Sequence, residues 1–242
     1  MDVYRLFKLM SDRSSHNKRI AKNTLFLYLR MGLVLVVSLF STRVVLQALD
    51  IEDYGINNVV SGFVTMFAFL NTSMSNGVQR FYNFSLGRKN GYSIKDVYNT
   101  ALQIQAILAV TLLVPLETFG MWYIHTQMVI PIDRFAAAQW VFQFSVLSLV
   151  LLVLQIPYSA AIMAYEKMDY YAYLSIFDVL AKLGIAYIIK YTTFDKLILY
   201  GALNMLVSLI CFFLYYGYAK FHFQDLKSDF IIRKQLFKPM LY

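Results

Sequence analysis

Apolar side chains are concentrated in long blocks along this chain, with short polar segments between them. The blocks cover approximately residues 24–49, 55–80, 98–124, 135–164, 170–190 and 197–219. Each is long enough to cross a hydrocarbon core of about 30 Å, which takes about 20 residues of α-helix. The blocks are continuously apolar and lack the alternation of lipid-facing strands, so they favour helices over a barrel. The pattern predicts an all-α, polytopic membrane protein with a bundle of six transmembrane helices.

Composition excludes most other classes of protein. Hydrophobic residues make up 59% of the 242 positions and charged residues 15%, whereas soluble domains have roughly 45–50% apolar and about 25% charged residues. A single cysteine, 10 glycines and 4 prolines exclude a disulfide scaffold and a collagen-like repeat. The net charge of +8 would point to nucleic acid in a soluble protein. Here the location of the basic residues matters more than their sum, and we expect no nucleic-acid partner.

Lysine and arginine are unevenly distributed between the two sides of the predicted bundle. With the N-terminus in the cytoplasm, 16 of them lie on the cytoplasmic side and 3 on the opposite side. The first outer loop, residues 50–53 (DIED), carries acidic residues and no basic one. Because cytoplasmic loops carry the excess of basic residues, the sequence predicts that both ends of this segment are cytoplasmic.

The chain divides into three predicted segments. Residues 1–23 form a basic, amphipathic cytoplasmic leader, residues 24–219 form the six-helix transmembrane lobe, and residues 220–242 form a cytoplasmic amphipathic linker. The linker ends on the apolar sequence FKPMLY, which we interpret as the approach to a seventh helix. We therefore expect the chain to be the first half of a longer protein.

Ionisable residues within membrane spans are rare, and each is a functional hypothesis. Asp178 and Lys182 stand four residues apart on one face of the fifth span. They can form a self-neutralising pair, or they can serve as a site for a coupling ion, H⁺ or Na⁺. Arg43 in the first span and Glu117 in the third lie at matched depths, about 10 Å outward of the span centres at about 1.5 Å per residue. We expect them to form an ion pair, either as structural support or as an outer gate.

Arg30 lies in the cytoplasmic half of the first span, at the depth of a polar stripe on the second. The stripe consists of Thr72, Ser75, Asn76 and Gln79, which follow helical spacing and lead to Arg80. Arg30 can snorkel to the interface, and small polar residues can serve as packing contacts between helices. The combination instead favours a hydrated cationic cavity, in which guanidinium groups would bind phosphate or carboxylate.

Other chemistry is poorly represented in the sequence. The three histidines are scattered over different loops without acidic or cysteine neighbours at ligand spacing, so we expect no metal site. A phosphate-binding loop of the G-x-x-x-x-G-K-[ST] type and a nucleophile–base arrangement are both missing from the sequence. We therefore expect a protein that is not an enzyme and that has no cofactor.

Two stretches, 17–55 and 73–90, carry short motifs of a known family. The motif residues are Lys22–Thr24, Arg43, Leu46, Leu49, Tyr54, Gly55, Gly77, Arg80 and Phe81. Together with the helix count, they resemble polysaccharide (O-antigen type) flippases of the multidrug/oligosaccharidyl-lipid/polysaccharide exporter superfamily. Asp50 departs from the pattern, because many relatives have glycine there; we expect the change to affect only the outer loop turn.

The resemblance implies two six-helix lobes around a central cavity in the cytoplasmic (inner) membrane. It implies alternating access and transfer of an undecaprenyl-diphosphate-linked oligosaccharide between leaflets for cell-surface polysaccharide synthesis. Arg30 would contact the diphosphate, and the partners would be the lipid-linked glycan, the bilayer and a C-terminal lobe. Two alternatives remain: a cation-coupled multidrug extruder, which Asp178 keeps open, and a non-transporting membrane scaffold of glycan assembly.

Overall fold

The computed structural model describes residues 3–87, 92–223, 236 and 240, with the backbone alone for residues 3–20, 22, 23, 68 and 70. Its α-helices are α1 (Val3–Thr65), α2 (Phe69–Leu86), α3 (Ile94–Pro115), α4 (Met121–Thr126), α5 (Phe135–Ala164), α6 (Met168–Lys190) and α7 (Lys196–His222). Short 3₁₀ turns cover Met66–Ala68 and Ile132–Arg134, and a π-helical turn covers Leu116–Gly120. No strand occurs in these ranges, which confirms the predicted all-helical class.

Five helical segments within the described ranges are long and apolar enough to cross a membrane. They are Thr24–Thr65, Ile94–Thr126, Ile132–Ala164, Met168–Lys190 and Lys196–His222. The predicted second span, 55–80, is not among them as a separate segment. Its first part belongs to the segment Thr24–Thr65, and α2, which holds most of the rest, is rich in polar residues. The five long apolar segments support a protein that is embedded in a membrane.

The helix α1 is interrupted at Asp50, inside the predicted outer loop. Asp50 has φ 63° and ψ 170°, which is not a helical conformation. A positive φ is unfavourable for a residue with a Cβ atom and easy for glycine. Asp50 therefore separates two helical portions of α1, residues 3–49, of which 24–49 are the predicted first span, and residues 51–65.

Contacts along the bundle show that the chain reverses direction at this point. At one end, the Arg30 guanidinium lies 4.6 Å from the centroid of the Tyr171 ring near the start of α6. After Asp50, Asp53 contacts Arg134 at the start of α5. Further along α2, the Tyr82 hydroxyl donates to the Pro157 carbonyl at 3.3 Å. Residues 24–49 thus run along α6 and residues 51–86 run along α5, whose direction is opposite.

Two large buried clusters, and a small third one around Leu112, hold the described helices together. One lies toward the end that contains Arg134, here called the Arg134 end, and includes Leu49, Val60, Phe142 and Ile189. The other lies toward the opposite end, here called the Tyr165 end after the loop between α5 and α6. Its members from α2, α3, α5 and α7 include many aromatic rings, among them Tyr82, Tyr98, Tyr158 and Tyr215.

The two predicted end segments are described only in part. The backbone of the leader is helical from Val3 onward and continues into the first span. Most of the linker lies outside the described residues. Leu236 and Met240, which do lie within them, are buried in the cluster at the Tyr165 end.

Candidate functional site

A polar cleft lies between α1, α5, α6 and α7, and it consists of three adjoining chambers. We name them the Arg30 chamber, the Asn204 chamber and the Tyr54 chamber after one lining residue of each. Their cavity volumes are about 250, 300 and 310 Å³ respectively. Lys182 lines all three chambers, and Asp178 lines the Arg30 and Tyr54 chambers. These two charged side chains therefore lie where the chambers meet.

The Arg30 chamber contains a guanidinium group that is incompletely paired. Arg30 stacks over the ring of Tyr171, and its Nε atom is buried and has no hydrogen-bond partner among the described residues. The other polar groups that line this chamber are Gln155, Ser175, Asp178, Lys182, Ser208, Cys211 and Tyr215. A buried donor without a partner costs free energy, so this chamber is suited to a ligand that brings an acceptor.

Asp178 and Lys182 form the ion pair that their spacing predicts. The Lys182 Nζ atom donates to Asp178 Oδ2 at 2.9 Å, and both side chains are only partly buried. On the neighbouring helix, the Cys211 thiol lies 4.0 Å from Asp178 Oδ1. The carboxylate thus has one strong partner, which belongs to its own helix.

The Asn204 chamber is neutral apart from Lys182 at its edge. Its polar residues are Asn57, Ser61, Thr65, Ser145, Ser148, Tyr200, Asn204 and Ser208. Several of these side chains donate to carbonyls of their own helices, as Ser145 does to Val141 and Asn204 to Tyr200, both at 2.8 Å. Their oxygen atoms keep acceptor capacity, so the chamber can bind hydroxyl-rich groups.

Most residues of this cleft were not among the predicted site residues, although the sequence carries a signal for them. In α7, Tyr200, Asn204, Ser208, Cys211 and Tyr215 recur at helical spacing on one face. In α5, Ser145, Ser148 and Gln155 do the same. Both spans lack charged residues, and attention to charges alone missed their polar faces.

The expectation that the polar stripe of α2 adjoins Arg30 is wrong. None of the three chambers of the cleft, the Arg30 chamber included, is lined by a residue of α2. Val78 and Tyr82 point α2 toward α5, which leaves Thr72 and Asn76 exposed and Ser75 and Gln79 half-buried on another side. This stripe is a separate polar surface, and Arg80 at its end lies over the ring of Phe84.

The expected ion pair between Arg43 and Glu117 is also wrong. Glu117 Oε2 accepts a hydrogen bond from Gln143 Nε2 of α5 at 2.9 Å. Arg43 is exposed and forms no ion pair within the part of the chain that the structure describes. The two residues have the same predicted depth in the membrane. However, Arg43 lies on the side of α1 that faces away from α6, so equal depth does not bring the two side chains together.

Two ion pairs of Arg134 connect the helices at the Arg134 end, close to the Tyr54 chamber. Arg134 Nε lies 3.2 Å from Asp53 Oδ1, and Arg134 Nη1 donates to Asp195 Oδ2 at 2.9 Å. Asp195 also caps α7, because its Oδ1 accepts from the backbone N–H groups of Leu197 and Ile198. The arrangement joins the beginnings of α5, α7 and the second portion of α1.

A metal centre is not evident in the ranges that the structure covers, where no three histidine, cysteine or carboxylate side chains are grouped to hold an ion. No protein-family model, no curated protein and no solved structure matches this chain. The family resemblance therefore rests on the sequence motifs alone, and the functional argument rests on the cleft.

Proposed function

We propose that this chain is the first six-helix lobe of a flippase for lipid-linked oligosaccharide. The substrate would be an undecaprenyl-diphosphate-linked glycan, moved across the cytoplasmic membrane by alternating access for cell-surface polysaccharide synthesis. In this proposal residues 24–49 and 51–86 cross the bilayer separately. The reversal of the chain at Asp50, and the length of about 63 Å that 42 uninterrupted helical residues would have, support this count.

One observation carries the proposal: Arg30 has a buried, unpartnered Nε atom in a polar cleft within an apolar bundle. A guanidinium group in this setting is costly unless an acceptor pairs with it. Phosphate oxygens match the donor geometry of arginine better than any neutral group does. A diphosphate head held at Arg30 would satisfy the donor, while the lipid tail would stay in the bilayer.

The neighbouring chambers supply a place for the glycan. The Asn204 chamber has amide and hydroxyl oxygens and one aromatic hydroxyl, Tyr200, but no charged residue except Lys182 at its edge. Such groups bind sugar hydroxyls by direct or water-mediated hydrogen bonds. The distribution of basic residues favours an orientation in which the Tyr165 end, and with it the Arg30 chamber, faces the cytoplasm. The head group would then enter from the cytoplasmic side.

The experiment replaces Arg30 in the full-length protein, in cells that need it for surface glycan. We expect Arg30→Gln to abolish most export, because the diphosphate loses its charged donor, and Arg30→Lys to retain part of it, because the charge remains without the bidentate fork. Arg80→Gln is the matched control, since Arg80 is exposed and lies outside the cleft. Glycan at the outer face is measured at equal levels of membrane-inserted protein.

Export at the wild-type rate from Arg30→Gln would contradict the proposal. An effect of Arg80→Gln as large as that of Arg30→Gln would also contradict it, because the cleft would then not be the site.

A cation-coupled multidrug extruder is the second candidate, and one observation favours it: Asp178 places a partly exposed carboxylate in the cleft. Lys182 already neutralises this carboxylate at 2.9 Å, which argues against a cationic substrate there. Drug sensitivity on Asp178→Asn with unchanged surface glycan would identify the extruder. A normal phenotype for all cleft variants would identify a non-transporting scaffold.

A further inference from the structure

Three charged side chains line the cleft, and their pairing is unequal. Lys182 is paired with Asp178 at 2.9 Å. Arg30 lines the same chamber and forms no ion pair within the described part of the chain. The chamber therefore holds two cations and one anion, and the anion belongs to the cation with which it shares a helix.

We propose that Asp178 is an internal counter-ion that occupies Lys182 in place of the substrate. A ligand of the diphosphate class binds between Arg30 and Lys182, and Lys182 leaves Asp178 to pair with the ligand. The return of Asp178 to Lys182 then helps to expel the ligand. This inference rests on the proposed function, and it assigns a release role to a carboxylate that would otherwise only repel an anion.

The positions of the side chains allow this exchange. Asp178 and Lys182 lie about two and three helical turns beyond Tyr171, the residue over which Arg30 stacks. Arg30 and Lys182 line the same chamber of about 250 Å³. A diphosphate bound in this chamber carries two anionic groups, one for each cation. Lys182 has a long, flexible side chain that is 43% exposed and lines all three chambers. Its ammonium can leave Asp178 without any change in the helices.

The exchange predicts a specific energetic relationship. The ligand affinity equals the intrinsic affinity multiplied by the fraction of time for which Lys182 is free of Asp178, because only the free ammonium can pair with the ligand. Simple repulsion between Asp178 and an anion would also reduce affinity. The two explanations differ in whether the effect of Asp178 depends on Lys182.

The test is a double-mutant cycle on the purified full-length protein, with inorganic pyrophosphate as the probe in isothermal titration calorimetry. We expect Asp178→Asn to tighten pyrophosphate binding about three- to fivefold, because Lys182 becomes free of a pair worth at most about 1 kcal/mol. Lys182→Met should weaken it. In the Lys182→Met background, Asp178→Asn should change the affinity by less than about twofold, since Asp178 then has no cation to occupy.

Two matched variants control for changes in charge and shape. Asp178→Glu keeps a carboxylate four residues from Lys182 and should bind pyrophosphate within about twofold of the wild type. Asp133→Asn removes an exposed carboxylate outside the cleft and should leave the affinity unchanged. Inorganic phosphate, with one anionic group, should gain less from Asp178→Asn than pyrophosphate does.

The source of the diphosphate is tested with farnesyl diphosphate. If the cleft serves a lipid head group, farnesyl diphosphate binds more tightly than pyrophosphate and gains as much from Asp178→Asn. If it serves a soluble diphosphate, the prenyl chain adds nothing. Either outcome retains Asp178 as the counter-ion, and only the first agrees with the proposed function.

A measurement on the wild-type protein covers the case in which Asp178→Asn does not fold. Pyrophosphate should increase modification of Asp178 by a hydrophobic carbodiimide, read by mass spectrometry, because the carboxyl group is released from Lys182. Equal gains from Asp178→Asn with and without Lys182 would overturn the inference, as would unchanged modification. Suppose that Arg30→Gln abolishes export, but Asp178→Asn tightens pyrophosphate binding equally with Lys182 and with Met at position 182. The proposed function would then stand, and the counter-ion role of Asp178 would be rejected.

Discussion

Arg134 Nε lies 3.2 Å from the Oδ1 atom of Asp53, a carboxylate whose side chain is only 8% exposed. The same guanidinium donates to Asp195, the residue that caps α7. One side chain therefore supports three chain segments that are distant in sequence. A carboxylate as buried as Asp53 depends on its cation, because breaking such a pair leaves an uncompensated charge.

We predict that Arg134→Gln lowers the free energy of unfolding by about 2 kcal/mol. This value lies between the cost of breaking an exposed ion pair and that of breaking a buried one. Thermal unfolding in detergent, followed by helix content, measures the change. The double variant Arg134→Gln/Asp53→Asn should recover at least half of the loss, because no unpaired charge remains. A loss of stability in Asp133→Asn as large as that in Arg134→Gln would show that the effect is not specific to the pair.

We predict that Asp50→Gly stabilises the protein by about 1 kcal/mol, since glycine adopts a positive φ without the strain that a Cβ atom causes. Asp50 has φ 63°. Asp50→Ala is the control, because alanine removes the charge and keeps the Cβ atom. An equal gain from Asp50→Ala would assign the effect to the charge and contradict the backbone explanation.

We predict that Gly201→Leu destabilises the contact between α5 and α7 by about 2 kcal/mol, the usual cost of overpacking a closed interface. A Cβ atom on Gly201 would lie 3.2 Å from Phe144 Cδ2 and 3.5 Å from Val141 Cα. Gly217→Leu is a control on the same helix, where a Cβ atom meets nothing within 4 Å. Gly217→Leu should be neutral or stabilising, and equal losses from both variants would contradict the prediction.

We predict that the two ends of the bundle face opposite sides of the membrane. In a Cys211→Ala background, cysteines at Asp133 and Thr193 should react with an impermeant maleimide from outside intact cells. Cysteines at Lys167 and at Lys89, which lies outside the described residues, should react only after permeabilisation. Labelling of Asp133 and Lys167 from the same side would contradict a membrane crossing by α5, and labelling of Lys167 but not Asp133 from outside would contradict the proposed orientation.

Some features of the site were predictable because they are local. The pair of Asp178 and Lys182 depends only on two residues four positions apart in one helix, and helical geometry places them on one face. The break near residue 50 follows from a short polar segment between two apolar blocks. The positive φ of Asp50 could not be predicted from the sequence, because the type of turn depends on how the two helical portions of α1 pack against the other helices.

Two other predictions were wrong because they depend on how each helix is rotated about its own axis. Arg43 and Glu117 share a depth, yet Glu117 bonds to Gln143. The polar stripe of α2 shares a depth with Arg30, yet Val78 and Tyr82 turn α2 toward α5. Depth follows from residue number, but the direction in which a side chain points is decided by all the contacts of its helix.

The amino-acid sequence by itself determined that this is a helical protein of the membrane. In lipid, apolar segments must satisfy their own backbone hydrogen bonds, and a helix of about 20 residues does so without help from the rest of the chain. Only the tertiary structure decided that Arg30 shares a chamber with Asp178 and Lys182, and that polar faces of α5 and α7 complete the cleft. These relationships require four helices to be packed in particular orientations, and the packing free energy that sets them is spread over residues far apart in the sequence.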